Sequence, residues 1–124
     1  MPNPKLAEFD GQNYLSLETF KKNGQGVKTP VWFVRTEDVF YVYTEADSWK
    51  VKRIRNNPRV RVAICSMRGD VRGPWHDATA SLVEGDERAA ADRLLDRKYV
   101  VKRILNFLTR INRHERTMLK IETA

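Results

Sequence analysis

One cysteine, Cys65, in 124 residues leaves no partner for an intramolecular disulfide and no second thiolate for a cysteine-based metal cluster. That usage matches a reducing compartment. The two histidines, His76 and His114, are far apart and lack the paired spacing of a zinc-binding helix, so no metal is expected. No stretch approaches the roughly 20 apolar residues of a membrane-spanning helix, and mean hydropathy is −0.59 with 31% charged residues. The opening MPNPKLAEFDGQ holds neither an apolar core region nor a small-residue cleavage site. A soluble, cytoplasmic protein without membrane contact is the expectation. A nucleophile motif, a glycine-rich phosphate loop and a dinucleotide fingerprint are also missing. An enzyme built this way draws its reactive atom from a bound cofactor, and no side chain is assigned as catalytic.

What is present fits one domain over residues 1–124, with 41% hydrophobic and 10% aromatic residues to fill a core. Twenty-three Lys and Arg against sixteen Asp and Glu give a net charge of +7 and favour anionic partners. Lys50, Lys52, Arg53, Arg55, Arg59 and Arg61 crowd into one short stretch. A later group, Arg97, Lys98, Lys102, Arg103, Arg110 and Arg113, reads as a solvated face.

Along the chain, Tyr14 to Phe20 and Val27 to Arg35 are β-rich runs joined by the turn-forming Lys22-Asn23-Gly24-Gln25-Gly26, which predicts a hairpin. Val39 to Thr44 is aromatic and β-branched throughout, as a strand covered on both faces would be. Ser48 caps a short helix running to Asn56, with Val51 and Ile54 as its inward stripe and Asn57-Pro58 as its stop. Arg59 to Ser66 alternates, Trp75 to Val83 supplies a fifth strand, and Thr117 to Glu122 closes the set. Between the last two, Ala90, Ala91, Leu94, Leu95 and Tyr99 mark an amphipathic helix, and Val101 to Asn112 continues as a second one. Six or so antiparallel strands with short helices predict a mainly β fold, a small barrel.

Chemistry concentrates in Thr44-Glu45-Ala46-Asp47-Ser48-Trp49-Lys50. Lys50 falls in a first helical turn, where the dipole and free N–H groups favour an anion and disfavour a cation. A phosphate bound between Lys50, the hydroxyls of Thr44 and Ser48, and the helix start would remove that cost. A solvated Lys50 following an ordinary cap accounts for the same residues equally well. Trp32 and Trp49 could flank a planar ligand, though aromatic residues in a small barrel are more often core.

Four segments carry a resemblance: Thr29-Pro30-Val31-Trp32-Phe33-Val34, Tyr41-Val42-Tyr43-Thr44, Ser48-Trp49-Lys50 through Asn56-Asn57-Pro58-Arg59-Val60, and Gly73-Pro74-Trp75. Together they resemble the flavin and deazaflavin oxidoreductases of the pyridoxamine phosphate oxidase-like split barrel, in particular a subgroup described as coenzyme F420-dependent. The likeness runs from Tyr14 to Glu122. It implies a split β-barrel homodimer with two cofactor sites at the subunit interface. The backbone of Pro30, Val31 and Trp32 would face the ring, and Thr44, Ser48, Trp49 and Lys50 would surround the phosphate. Trp75 would lie near the site, reaching it from the other subunit. Thr29-Pro30 stands where pyridoxamine phosphate oxidases open the strand with Arg, and the chain ends Ile121-Glu122-Thr123-Ala124 without their basic substrate segment, which argues against that reaction.

Coenzyme F420 carries an acidic oligoglutamate tail, and Lys52, Arg53 and Arg55 would line a basic groove for it. The same three also read as solvent-facing charges on a helix. The favoured function is therefore hydride transfer between coenzyme F420 and a small organic acceptor. The alternatives are a flavin mononucleotide (FMN) oxidoreductase of the same fold, a non-catalytic cofactor carrier, and a basic barrel binding nucleic acid. The last is disfavoured because the aromatic residues sit on strands that also carry Val and Leu, and so read as core.

Overall fold

Alternation of apolar and polar residues builds the sheet. Val60, Val62 and Ile64 are buried in one strand while Arg59 is exposed, and Phe40, Val42 and Thr44 are buried in another, as a period of two demands. The computed structural model describes residues 4–99 and 116–123. Its strands are β1 (Leu15–Phe20), β2 (Gly26–Val31), β3 (Val34–Thr36), β4 (Val39–Glu45), β5 (Arg59–Ile64), β6 (His76–Val83) and β7 (Arg116–Thr123). Two helices accompany them, α1 (Trp49–Asn56) and α2 (Gly85–Lys98). The seven strands form one sheet in the order β2-β1-β5-β6-β7-β4-β3, every pair antiparallel. This is the split barrel.

The register sorts the side chains. Leu15 and Leu17 of β1 stand opposite Ile64 and Val62 of β5, and Leu119 and Ile121 of β7 stand opposite Val42 and Phe40 of β4. All join one interior core. A 3-10 helix, Pro4–Phe9, adds the fully buried Leu6 and Phe9, with the Phe9 ring 4.8 Å from that of Phe40 and 5.9 Å from that of Phe33. Glu8 meets His76 at 2.6 Å and Asp10 meets Arg35 at 2.7 Å, holding this helix against the sheet. The sequence signal for it was only Leu6 and Phe9 three residues apart.

On the outer face, α2 packs Ala91 and Leu95 with Tyr99 against Val83, Met118 and the half-buried Trp32, Val34, Tyr41 and Tyr43. Asp86 and Glu87 in its first turn and Arg97 and Lys98 in its last complement the helix dipole. The Tyr41 hydroxyl donates to Glu87 at 2.7 Å and Lys120 meets the same carboxylate at 2.9 Å, tying the helix start to β4 and β7.

The single strand predicted over 27–35 is two strands. At Trp32 and Phe33 the chain leaves β1, its partner through Val31, and turns to pair with β4 from Val34. The main-chain groups of Phe33 lie in this gap. Tyr99, directly after α2, fills it: the Phe33 N–H donates to the Tyr99 hydroxyl oxygen at 3.1 Å. The hydroxyl proton is shared between the carbonyls of Asn13 at 2.8 Å and Phe33 at 2.9 Å. Burial pushes this phenol up to about 12, so it stays a donor at any ordinary pH. Its ring stacks on Trp32 at 4.8 Å with 7° between planes. The predicted helix over 101–112 lies outside the described residues.

Tyr99→Phe keeps the ring stack and strips the hydroxyl, leaving a buried N–H without a partner. Stability should fall by roughly 1–3 kcal/mol, measured by urea unfolding. An unchanged unfolding midpoint would mean that water satisfies the corner instead.

Candidate functional site

The chain turns from β4 into α1 over Ala46 and Asp47, with the Ser48 N–H donating to the Glu45 carbonyl at 3.2 Å. Ser48 is the cap, its hydroxyl accepting from the Val51 N–H at 3.4 Å. Val51 and Ile54 are buried, which fixes the roll of the helix. That roll leaves Trp49 69% exposed and Lys50 half-buried. Lys52 is exposed, its Nζ 4.5 Å from the centre of the Trp49 ring.

No acidic residue stands in the first turn of α1. Lys50 has no ion-pair partner among the described residues, while burial, reinforced by Arg53 and opposed by Glu45, pushes its pKa down. A partly desolvated ammonium beside the positive end of a helix dipole is an arrangement that an anion relieves. Arg53 is committed elsewhere, its Nε donating to the Thr19 hydroxyl at 2.7 Å and bracing α1 on β1. Arg55 is exposed. Thr44 is nearly buried on the inner face of β4, opposite Thr117.

The second group of predicted residues lies along β2. Pro30 is exposed on an edge strand, where a residue without an N–H costs no ladder bond. Val31 packs on the interior core and Trp32 on Tyr99, so Trp32 has a structural role in its side chain. Because β2 pairs only with β1, its outward main-chain groups lack a strand partner among the described residues and are open to a planar ring.

Trp75 is clamped over the outer face, with Lys28 Nζ 5.2 Å and the Arg61 guanidinium 5.0 Å from its ring centre. Arg61 is held in turn by Glu18 at 2.5 Å, a carboxylate only 5% exposed. Gly26 makes room for it: a Cβ there would fall 2.2 Å from Glu18 Oε2.

The two groups are separated along β2. Arg53 ties α1 to Thr19, which pairs with Val27 on β2, whereas Pro30 stands three residues further along that strand. The structure gathers Ser48, Trp49, Lys50 and Lys52 at the start of α1, and it sets Pro30, Val31 and Trp32 at the β2–β3 corner. The Glu18–Arg61 pair, the Arg35–Asp10 pair and the Tyr99 staple escaped sequence reasoning, because each joins residues distant in the chain. Lys98, expected on a solvated face, is instead half-buried over the Phe33 ring at 3.6 Å. Among the described residues no cluster of metal-ligating side chains occurs, and no helix is long and apolar enough to cross a membrane.

Known structures share this architecture at low identity. A FAD-binding protein from Mesorhizobium loti is 16% identical, with a TM-score of 0.62 over 90% of this chain and 79% of its own. The heme storage protein HutZ from Vibrio cholerae is 16% identical, with a TM-score of 0.66 over 100% and 92%. A conserved hypothetical protein from Mycobacterium tuberculosis is 21% identical, with a TM-score of 0.71 over 99% and 81%. No curated protein matches this chain. At these identities the likeness establishes the fold and leaves the chemistry open. Lineage comes from the sequence itself, because the family model for pyridoxamine 5'-phosphate oxidase matches residues 3–124, covering both the capped α1 and the β2–β3 corner. The chain belongs to the pyridoxamine 5'-phosphate oxidase family.

Proposed function

We propose that this chain is a deazaflavin-dependent oxidoreductase, moving a hydride between coenzyme F420 and a small conjugated organic acceptor. The observation that carries the proposal is Lys50, half-buried at the start of α1 with no ion-pair partner among the described residues. Lys50 and the first N–H groups of α1 would hold the cofactor's phosphate, with Ser48 able to donate its hydroxyl proton while still capping the helix. The exposed Trp49, steadied by Lys52, and the nearly buried Thr44 would border that phosphate. The open edge of β2 at Pro30, Val31 and Trp32 would lie along the ring. The bound cofactor supplies the hydride chemistry, while the protein binds, orients and excludes water.

Two groups carried by different elements, one at the start of α1 and one on the free edge of β2, suit a groove completed by a second copy. A homodimer is part of the proposal, with Trp75, rigidly held on the outer face, contributing to the partner's site. FMN is the alternative cofactor, and the tie of Arg53 to Thr19 favours it, since it takes one of the three cations expected to meet an acidic tail and leaves only Lys52 and Arg55.

Lys50→Ala should weaken binding of either cofactor about tenfold to a hundredfold, with little change in unfolding temperature. Calorimetric titration of the purified protein with coenzyme F420 and with FMN measures this; equal dissociation constants for variant and wild type would remove Lys50 from the site. Raising salt should weaken coenzyme F420 more steeply than FMN, because exposed pairs between the tail and Lys52 or Arg55 are screened over a Debye length of about 8 Å at physiological ionic strength. Tighter FMN binding at every salt concentration would transfer the function to the flavin. Sedimentation should give a dimer at micromolar concentration, and a monomer that binds cofactor tightly would refute the shared groove.

A further inference from the structure

A cavity of about 380 Å³ opens beside the β2–β3 corner, lined by Phe9, Asp10, Asn13, Phe33, Arg35 and Lys98 among others. That volume is at the small end of ligand sites, which run from about 300 to 1,000 Å³. Its charges do not cancel. Arg35 is spent on Asp10, with bonds of 2.7 and 2.9 Å from one guanidinium nitrogen to both carboxylate oxygens, and a further bond of 2.9 Å to the Glu37 carbonyl. Lys98 remains. Its Nζ lies over the Phe33 ring at 3.6 Å and the Tyr99 ring at 5.3 Å, and it has no ion-pair partner among the described residues.

We propose that this cavity is a binding site for a small organic monoanion, recognised by Lys98. One uncompensated cation on the wall selects a single negative charge, and the modest volume selects a small molecule. Burial pushes Lys98 down to about 8, only partly offset by the charge of Asp10, in keeping with an ammonium that has no ion-pair partner among the described residues. The aromatic faces beneath it hold the ammonium where an incoming carboxylate can meet it. Phe33 follows directly on Pro30, Val31 and Trp32, so the anion is assigned as the hydride acceptor, a small α,β-unsaturated carboxylate. Its β-carbon would take the hydride from the reduced cofactor as the C=C π bond breaks, and its α-carbon would take a proton from water, giving the saturated carboxylate and the oxidised cofactor. This last step rests on the proposed function, whereas the anion site does not.

Benzoate and its neutral counterpart benzamide, titrated into the cofactor-free protein and read from the amide shifts of Phe33, Val34 and Arg35, test the site without requiring turnover. Benzoate should bind about tenfold more tightly than benzamide. Lys98→Met should abolish that preference, Lys98→Arg should keep it, and Lys22→Met on the exposed hairpin should leave it unchanged. Equal binding of benzoate and benzamide, shifts confined to α1, or no shift at all would overturn the proposal, and the comparison of the two probes on wild-type protein does so even if Lys98→Met fails to fold. Cinnamate should in addition accept hydride from the reduced cofactor, with KM raised by Lys98→Met. Benzoate binding without any cofactor binding would leave the anion site standing and defeat the proposed function alone.

Discussion

Where a barrel parts its strands, the main chain on either side of the gap loses its ladder partners, and an unpaired buried N–H or C=O costs as much as a lost hydrogen bond. Here the gap falls at Trp32 and Phe33, and a single phenol closes it by accepting from one main-chain N–H and donating to the carbonyls flanking it. Much else is arranged around that atom. Stacking on Trp32 fixes the ring, α2 delivers it, and the Tyr41–Glu87–Lys120 contact holds the start of α2 on the sheet. The corner that would face a cofactor is thus set by a residue that need not touch it.

Local pattern made part of this legible in the sequence. The hairpin turn, the cap at Ser48, the inward pair Val51 and Ile54 and the alternation of β5 all depend on neighbours within four residues, and all are present. The break between β2 and β3 was not legible, because Val27 to Arg35 has uninterrupted β character; what divides it is a change of partner strand, set by tertiary packing. Composition called Lys98 solvated for a similar reason. Nothing near it in sequence reveals that Phe33, on a different strand, lies beneath its amine. At the candidate site, the cap and the cation of α1 could be read directly, while the commitment of Arg53 to Thr19 could not.

The excess of positive charge is spent unevenly. Arg61 serves a buried carboxylate, Arg35 an exposed one, Arg53 a hydroxyl, and Lys28 and Lys52 lie over indole rings. Lys50 and Lys98 are half-buried and, unlike the half-buried Arg35, Arg53 and Arg61, have neither an acid nor a hydroxyl as partner among the described residues. Net charge drew attention to anions in general; burial without a polar partner is what marks these two amines.

A sheet whose first and last strands issue from the same two residues also governs how the protein meets its neighbours in a crowded solution. Edge strands are templates for intermolecular pairing, and long flat apolar ones seed aggregation. Here β3 is only three residues long, and β2 carries Pro30 and the exposed Lys28 along its free side. Each edge is therefore a poor template for a foreign strand. The two edges left where the strands part are guarded by length, charge and proline against runaway β-sheet growth.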